Sequence, residues 1–572
     1  MMKDQHREYK VRNENYFGVA AIIILVFILM MTIINLNYFI RRNKQNLEAK
    51  SKNDLIKLEE EQDVVRKPSC LIVTGQDKNH SMEIIEESLE KAKIEYISKV
   101  TFEDIVDNEL LSAEIIIING SEFPSLGNVD MLLKYIEKGK HIIFTSMPDV
   151  DYIQTSELEE IMGIKKVTQS QYQEGVKFLP GFLLGGLLEF PEILFNEPKV
   201  ELLSTTKTYV ASSEESAVIW RNIYGESEIY VVNVPFFESN IGHGILSAIM
   251  AQIYPDYIYP IINAKVFTYS GLPYVSNENT SELKEIYSRN AMQLQQDIII
   301  PEILGINKSR DLIPSGFITN NFNNYYNKEI DTFTLKQINN YEKKIYELGG
   351  ELGMVYSGDL RKDIQLYKKL FKDKNLKSIL LKEQDFEVMS ELIDKGYLSY
   401  MDSVLGPRTV NNKTFGYLTE NTVFIPFTIN GVTYTDLEKL EFYADITAFG
   451  AIVQNLNLEQ IIFPEGDKDN WMNVSKKYKK FIDSYRDKFN MIKARNISDT
   501  VESVKKYSNN YPSIEYFKNK IEIRFDKWYG ESYFILRTTK EVESITEGTI
   551  EKIEEGAYLV TVENKEVDIS LR

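Results

Sequence analysis

The longest apolar run in the chain lies close to its start: Phe17–Ile40 holds no charged side chain and reads through AAIIILVFILMMTII. About 20 apolar residues in a helix are enough to cross the hydrocarbon core of a bilayer. Tyr16, Tyr38 and Phe39 stand at its two ends, where aromatic rings settle at headgroup level, and no small-residue cleavage site follows. The pattern predicts one uncleaved transmembrane helix over 17–40, in contact with membrane lipid, after an N-terminal tail at 1–16. Lys3, Arg7, Lys10 and Arg12 precede the span, and Arg41, Arg42, Lys44, Lys50, Lys52 and Lys57 follow it. Loop charge therefore does not fix the side on which the body lies. Residues 41–66 are polar and evenly charged, a stalk or linker.

Beyond Pro68 the apolar residues come in short blocks. CLIVTG is a continuous run of the kind buried on both faces of a parallel sheet, and Tyr96–Val100, EIIIING and HIIFTSMP follow as further strand-like runs. Met82–Ala92 and Asp130–Lys138 between them have helical spacing. AVIWRNIYGESEIYVVN predicts a hairpin about Tyr224–Gly225, and Gly244–Ile253 a helix returning to the sheet. This alternation predicts a flavodoxin-like doubly wound domain at 67–259. Ligands of such a sheet are expected at the carboxyl ends of its strands, here Thr74–Gly75, Asn119–Gly120 and Ser146–Met147. The dinucleotide glycine fingerprint is missing after the first strand.

Over 260–512, strand-like runs recur at Lys265–Tyr269, Gly316–Thr319, Gly353–Tyr356, Ser378–Leu381, Val423–Thr428 and Gln460–Phe463, with helical stretches such as Leu335–Leu348 and Asn473–Lys488 between them. Strands alternating with helices in this number predict a (β/α) barrel. Residues 513–572 alternate with period two around turns at Trp528–Glu531, Glu555–Gly556 and Asn564–Lys565, a small β-sandwich.

Composition narrows the partners. A formal net charge of −19 and a pI near 5.0 argue against nucleic acid. They suit a cationic partner such as a partly de-N-acetylated amino-sugar polymer. The single Cys70 excludes an intramolecular disulfide and a multi-cysteine metal site, and its place at the start of an apolar run predicts a buried thiol.

Three segments of the barrel region carry a resemblance to metal-dependent polysaccharide deacetylases of the carbohydrate-esterase type: Ser270-Gly271-Leu272-Pro273, Gly349-Gly350-Glu351-Leu352-Gly353-Met354-Val355-Tyr356, and Phe463-Pro464-Glu465-Gly466-Asp467 followed by Trp471. They stand in order where that family reads D-D-F-P, G-H-E-L-G-L-H-G and H-P-x-D. The order of sheet module, barrel and small β domain is similar to that of PelA-type deacetylases of Pel-like exopolysaccharide systems and their anchored Gram-positive relatives. The resemblance implies a degenerate deacetylase barrel at 260–512 and an extracytoplasmic body. It also implies glycan or exopolysaccharide-assembly proteins as partners.

The departures decide the expected chemistry. The family mechanism needs an Asp and two His around a divalent ion that activates water. The chain has only His6, His80, His141 and His243, none beyond residue 243, and Val355 stands where a ligand His would be. No catalytic residue, no metal and no cofactor are therefore expected. The chain reads as a pseudoenzyme whose cleft binds glycan through Tyr269, Ser270, Glu351, Tyr356, Asp359, Phe463, Asp467 and Trp471. Sugars stack on aromatic rings, and Tyr274 adjoins the same segments. Two other readings stay open. Carboxylates about 5 to 9 Å apart, drawn from Glu351, Asp359, Asp402, Asp445, Glu465 and Asp467, would make a hydrolase. A ligand on the flavodoxin-like module would make a membrane-bound sensor.

Overall fold

Apolar runs such as Cys70–Val73 become strands because branched side chains fill both faces of a pleated sheet, and Ile115–Ile118 shows this most simply: four isoleucines, all buried. The structure, a computed structural model, describes residues 64–572 apart from 66–67, 76–78, 107–108, 110–111, 274–280, 320–331, 373, 383–386, 409–413, 433 and 463–469. Arg66–Arg572 forms one compact unit; of Met1–Val65 only Val64–Val65, a two-residue strand, is described.

The first module is a mixed sheet. Its strands are β1 (Ser69–Val73), β2 (Glu95–Lys99), β3 (Ile115–Ile118), β4 (His141–Phe144), β5 (Ile164–Phe178), β6 (Leu188–Leu202), β7 (Lys207–Ala211), β8 (Ala217–Tyr224) and β9 (Ser227–Val232), in the order β2-β1-β3-β4-β9-β8-β7-β5-β6. The first five are parallel and the rest antiparallel. Helix α1 (His80–Lys91) starts where the Asn79 side chain accepts from the Met82 amide at 3.0 Å, a standard N-cap. The β5–β6 ribbon ends in a turn that is tied down elsewhere. Leu184 N–H donates to Thr447 Oγ1 at 3.0 Å, and Gly185 N–H to Glu554 Oε2 at 2.9 Å. The module ends with helix α2 (Ile241–Ile253).

Strand β10 (Asp256–Ile261) leads into the barrel. Strands β11 (Ala264–Leu272), β12 (Pro314–Ile318), β13 (Leu352–Val355), β14 (Ser378–Leu380), β15 (Ser403–Gly406) and β16 (Val423–Pro426) are successive parallel neighbours. Closure falls to one split segment. Its first half, β16, pairs with β15, and its second half, β17 (Ile429–Asn430), pairs with β18 (Ala451–Asn457), which returns to β11. Five helices matter below: α3 (Ile300–Ser309), α4 (Leu360–Leu370), α5 (Asp436–Phe449), α6 (Trp471–Arg486) and α7 (Ile497–Asn509). The first module sits on α5 through α2, where Gly244 lets two backbones meet; a Cβ there would lie 2.5 Å from Ala444 Cα.

Val266, Phe317, Val355, Leu380, Leu405, Ile425 and Val453, one from each barrel position, share an apolar cluster with Ile497, Val501 and Val504 of α7. The barrel interior is thus filled, and α7 plugs its amino-terminal end. The C-terminal strands β19 (Pro512–Phe517), β20 (Lys520–Phe525), β21 (Ser532–Thr538), β22 (Val542–Ile545), β23 (Gly548–Glu554), β24 (Ala557–Val562) and β25 (Glu566–Leu571) form two antiparallel layers. One runs β10-β21-β24-β23 and the other contains β19-β20-β25-β22, over a common core that includes Ile258, Phe534 and Ile569.

The expected fold class is corrected. No helix among the described residues is long and apolar enough to cross a membrane, and the expected span at 17–40, with the tail and the stalk to residue 63, lies outside the described residues. The fold is a mixed α/β one of large sheets, with a (β/α) barrel and a β-sandwich. Three further differences concern the elements. Gln460–Ile462 is helical, within Leu458–Ile462, and the strand is β18, whose polar Gln454, Asn455 and Asn457 hid it; Phe463 lies outside the described residues. Strand β15 was not foreseen because SVLG is short and ends at a Gly-Pro pair. The sandwich is not confined to 513–572, since β10 pairs with β21 along six residues.

Candidate functional site

Side chains alternate along a strand, so residues two positions beyond the apolar layer point the same way, toward the carboxyl end of the barrel. From Val266 that face continues to Thr268 and Ser270, from Phe317 to Thr319, from Leu380 to Lys382, and from Val453 to Asn455 and Asn457. All of these are polar, as is Ser357 beyond Val355, whereas Pro407 and Phe427 beyond Leu405 and Ile425 are apolar. The mouth therefore carries a polar crown on an apolar floor, the face where barrels of this kind place their sites.

The crown holds two hydrogen-bonded groups. Thr268 Oγ1 donates to Asn455 Oδ1 at 3.1 Å, and Asn455 Nδ2 donates to Asn430 Oδ1 at 2.9 Å. Glu459 stands at the centre of the second group. Its amide donates to Asn457 Oδ1 at 3.0 Å, Oε1 accepts from Thr319 Oγ1 at 3.1 Å, and Oε2 accepts from Lys382 Nζ at 3.2 Å. Lys382 and Glu459 keep 36% and 21% side-chain exposure, so the pair is open to a ligand. Gly271 makes room for it. Its φ is +84°, and a Cβ there would lie 2.9 Å from Glu459 Cγ and 3.1 Å from Glu459 N.

The residues expected from the sequence scatter. Ser270 is in the crown, buried, at a register shift of β11. Tyr269 faces outward between helices, where its hydroxyl donates to Asn307 and lies 3.1 Å from that of Tyr478; burial pushes its phenol up. Tyr356 is buried in the outer cluster with Met354. Glu351 lies at the opposite end of the barrel, where Oε2 accepts from the Ser498 amide and hydroxyl at 3.0 Å each, at the start of α7. Asp359 caps α4; the Lys362 amide and ammonium hold its carboxyl below the usual range. Trp471 is buried, and its Nε1 donates to Glu302 at 2.7 Å. Phe463 and Asp467 lie outside the described residues, as do Tyr274 and Glu465. Thr319, Lys382, Asn430, Asn455, Asn457 and Glu459 were missed. The available signal was the step from an apolar to a polar residue two places on, at Leu380–Lys382 and Val453–Asn455–Asn457.

The other carboxylates do not converge. Asp402 precedes β15 at the plugged end and pairs with Lys377 at 3.4 Å. Asp445 is buried on α5 outside the barrel wall, 2.7 Å from Arg408. Glu459 is thus the one carboxylate of the crown among the described residues. A divalent cation does not fit the crown donors among the described residues. The barrel has no histidine, and the lone crown carboxylate already holds an ammonium that would repel a second cation. Among the described residues no group of three His, Cys, Asp or Glu is placed to hold a metal. His243, the nearest histidine in sequence, is buried on α2 with Nδ1 2.7 Å from Ser88 Oγ, and burial holds it neutral.

The carboxyl edge of the first sheet is filled by the chain itself. Asn119 Oδ1 accepts from Ser81 and Thr145 hydroxyls at 2.6 and 2.8 Å, and Nδ2 donates to Thr74 Oγ1 at 3.2 Å and Asn79 Oδ1 at 3.1 Å. Cys70 is buried on β1, and burial pushes its thiol up, which suits packing and not nucleophilic chemistry.

A family model described as an uncharacterised protein conserved in bacteria (DUF2194) matches residues 404–559. No curated protein matches the chain. Among solved structures, the fold is similar to that of Agd3, described as a novel carbohydrate deacetylase, with a TM-score of 0.53 over 88% of this chain and 98% of that one at 10% identity. A protein from Mycobacterium smegmatis described as a polysaccharide deacetylase matches 42% of this chain and 90% of its own, with a TM-score of 0.28 and 11% identity. A glutamine amidotransferase from Thermotoga maritima matches 32% and 83%, with a TM-score of 0.23 and 10% identity. The first of the three shows that sheet module, barrel and C-terminal domain together make a deacetylase-like fold.

Proposed function

We propose that this chain is a carbohydrate-binding protein on a deacetylase-like barrel, holding glycan at the barrel mouth without metal-dependent deacetylation. The observation that carries the reading is the crown itself: amide and hydroxyl side chains around a Lys382–Glu459 pair, above an apolar floor. Sugar hydroxyls and acetamido groups are each both donor and acceptor, and such side chains match both roles. An acetamido N–H meets Glu459, and its carbonyl meets Lys382. The likeness to a carbohydrate deacetylase supports the sugar class. A binding or scaffolding role in Pel-like exopolysaccharide assembly, with the body outside the cytoplasm, belongs to the same proposal. Protection of the body from protease added to intact cells would contradict that location.

The test is acetate release from N-acetylated amino-sugar oligomers by the full chain with added zinc, cobalt or nickel, beside an active deacetylase. No release with the control active is expected. Release above the no-protein control would sink the non-catalytic reading.

A further inference from the structure

The chain is acidic, but one helix on the flank of the barrel is not. Helix α6 carries Lys476, Lys477, Lys479, Lys480 and Arg486 against a single carboxylate, Asp483, in a chain of formal net charge −19. Some of that charge is internal. Lys479 pairs with Glu302 at 2.6 Å, and Asp483 is held by Arg310 at 2.7 Å, with Arg486 3.8 Å away. Lys476, Lys477 and Lys480 are exposed and enter no ion pair among the described residues. At 3.6 residues per turn these three fall within an arc of about 100°, with Lys476 and Lys480 about 6 Å apart along the axis.

The face is fixed, not floppy. Trp471, Val474, Tyr478, Ile482 and Tyr485 anchor the opposite side of α6 in the core. The helix also begins beside the mouth, since it follows β18 and the helical turn that carries Glu459. Charge more than about 8 Å from this face is largely screened at physiological ionic strength.

We propose that α6 is a docking face for an anionic polysaccharide, a carboxylate-bearing glycan strand that crosses Lys476, Lys477 and Lys480 as it leaves the barrel mouth. Repeated carboxylates along a sugar chain complement ammonium groups spaced along one helix face, and a lysine is a freely rotating point donor for each. An anionic lipid surface is the competing occupant. It is disfavoured because the apolar side of α6 is committed to the core, leaving Met472 as the one exposed large apolar side chain of the helix. The inference rests on the carbohydrate reading of the mouth.

The experiment titrates the full chain with oligogalacturonate of about ten residues, and separately with neutral N-acetylglucosamine oligomers and with phosphatidylglycerol vesicles. Lys476→Glu/Lys477→Glu/Lys480→Glu should weaken oligogalacturonate binding at least tenfold and leave the neutral oligomer unaffected, whereas the triple Lys→Arg variant should keep both. Binding that weakens with added salt in the wild type is part of the expectation. Unchanged affinity in the charge-reversed chain, no binding by the wild type, or binding to vesicles but not to oligogalacturonate would each overturn the proposal. Loss of neutral-oligomer binding in Lys382→Met with oligogalacturonate binding kept reports on the mouth alone, so failure of the two readings is told apart.

Discussion

Replacing Glu351 with alanine separates the two ends of the barrel. Its motif position made it a ligand candidate, but Oε2 accepts from both the amide and the hydroxyl of Ser498 at 3.0 Å, on the first turn of α7. That helix fills the amino-terminal end of the barrel with Ile497, Val501 and Val504. A carboxylate at a helix start satisfies an otherwise unpaired amide and interacts with the helix dipole. Glu351 is half-buried, so its two charge-assisted bonds are screened in part. Together they contribute about 2 kcal/mol, the middle of the range for capping and charged hydrogen bonds. The chain is too large for a single two-state melt to report this, whereas amide exchange reads local opening directly. Glu351→Ala should speed exchange across α7 by roughly 30-fold and leave glycan affinity at the mouth unchanged; Glu351→Gln, which keeps an acceptor, should do less. Unaltered exchange together with lost glycan binding would refute the assignment of Glu351 to the plugged end.

Three other perturbations have signed outcomes. Gly271→Ala places a Cβ 2.9 Å from Glu459 Cγ at φ +84°; a local stability loss of about 1–2 kcal/mol, read as faster amide exchange around the mouth, is expected together with weaker glycan binding in titration. Lys265 is buried, and burial lowers its ammonium to about 8. The unfolded chain then binds more protons between about pH 8 and 10.4, so stability attributable to this lysine should rise over that window in denaturant titrations, and Lys265→Met should flatten the rise. Removing residues 513–572 strips β10 of its partner β21 and bares an edge strand; the shortened chain should aggregate on size-exclusion chromatography, where a monomer would contradict the shared sandwich.

What could be read from the chain followed hydrophobic pattern closely. Isoleucine-rich runs such as Ile115–Ile118 and amphipathic helices capped by Asn79 or Asn128 are local signals, and they sit where the pattern puts them. Elements whose logic is tertiary were hidden. Strand β18 carries polar residues at the mouth, so the apolar pattern puts the last strand at Gln460–Phe463, one element too late. The paired β5 and β6, 15 residues each, alternate irregularly because bulges shift their register. The site shows the same limit. Motif frames pointed at Tyr269, Glu351, Tyr356 and Trp471, yet three of these point into core between helices and Glu351 caps α7. Glu459 and Lys382 are 77 residues apart and meet only because β14 and the turn after β18 end at one barrel mouth.

The most direct test of the account is calorimetric titration of N-acetylglucosamine oligomers into the wild-type chain and into Lys382→Met. Saturable binding by the wild type, weakened at least tenfold in Lys382→Met, is the result predicted for a sugar held against the Lys382–Glu459 pair. Binding of equal strength in both chains, or none in the wild type, would contradict it.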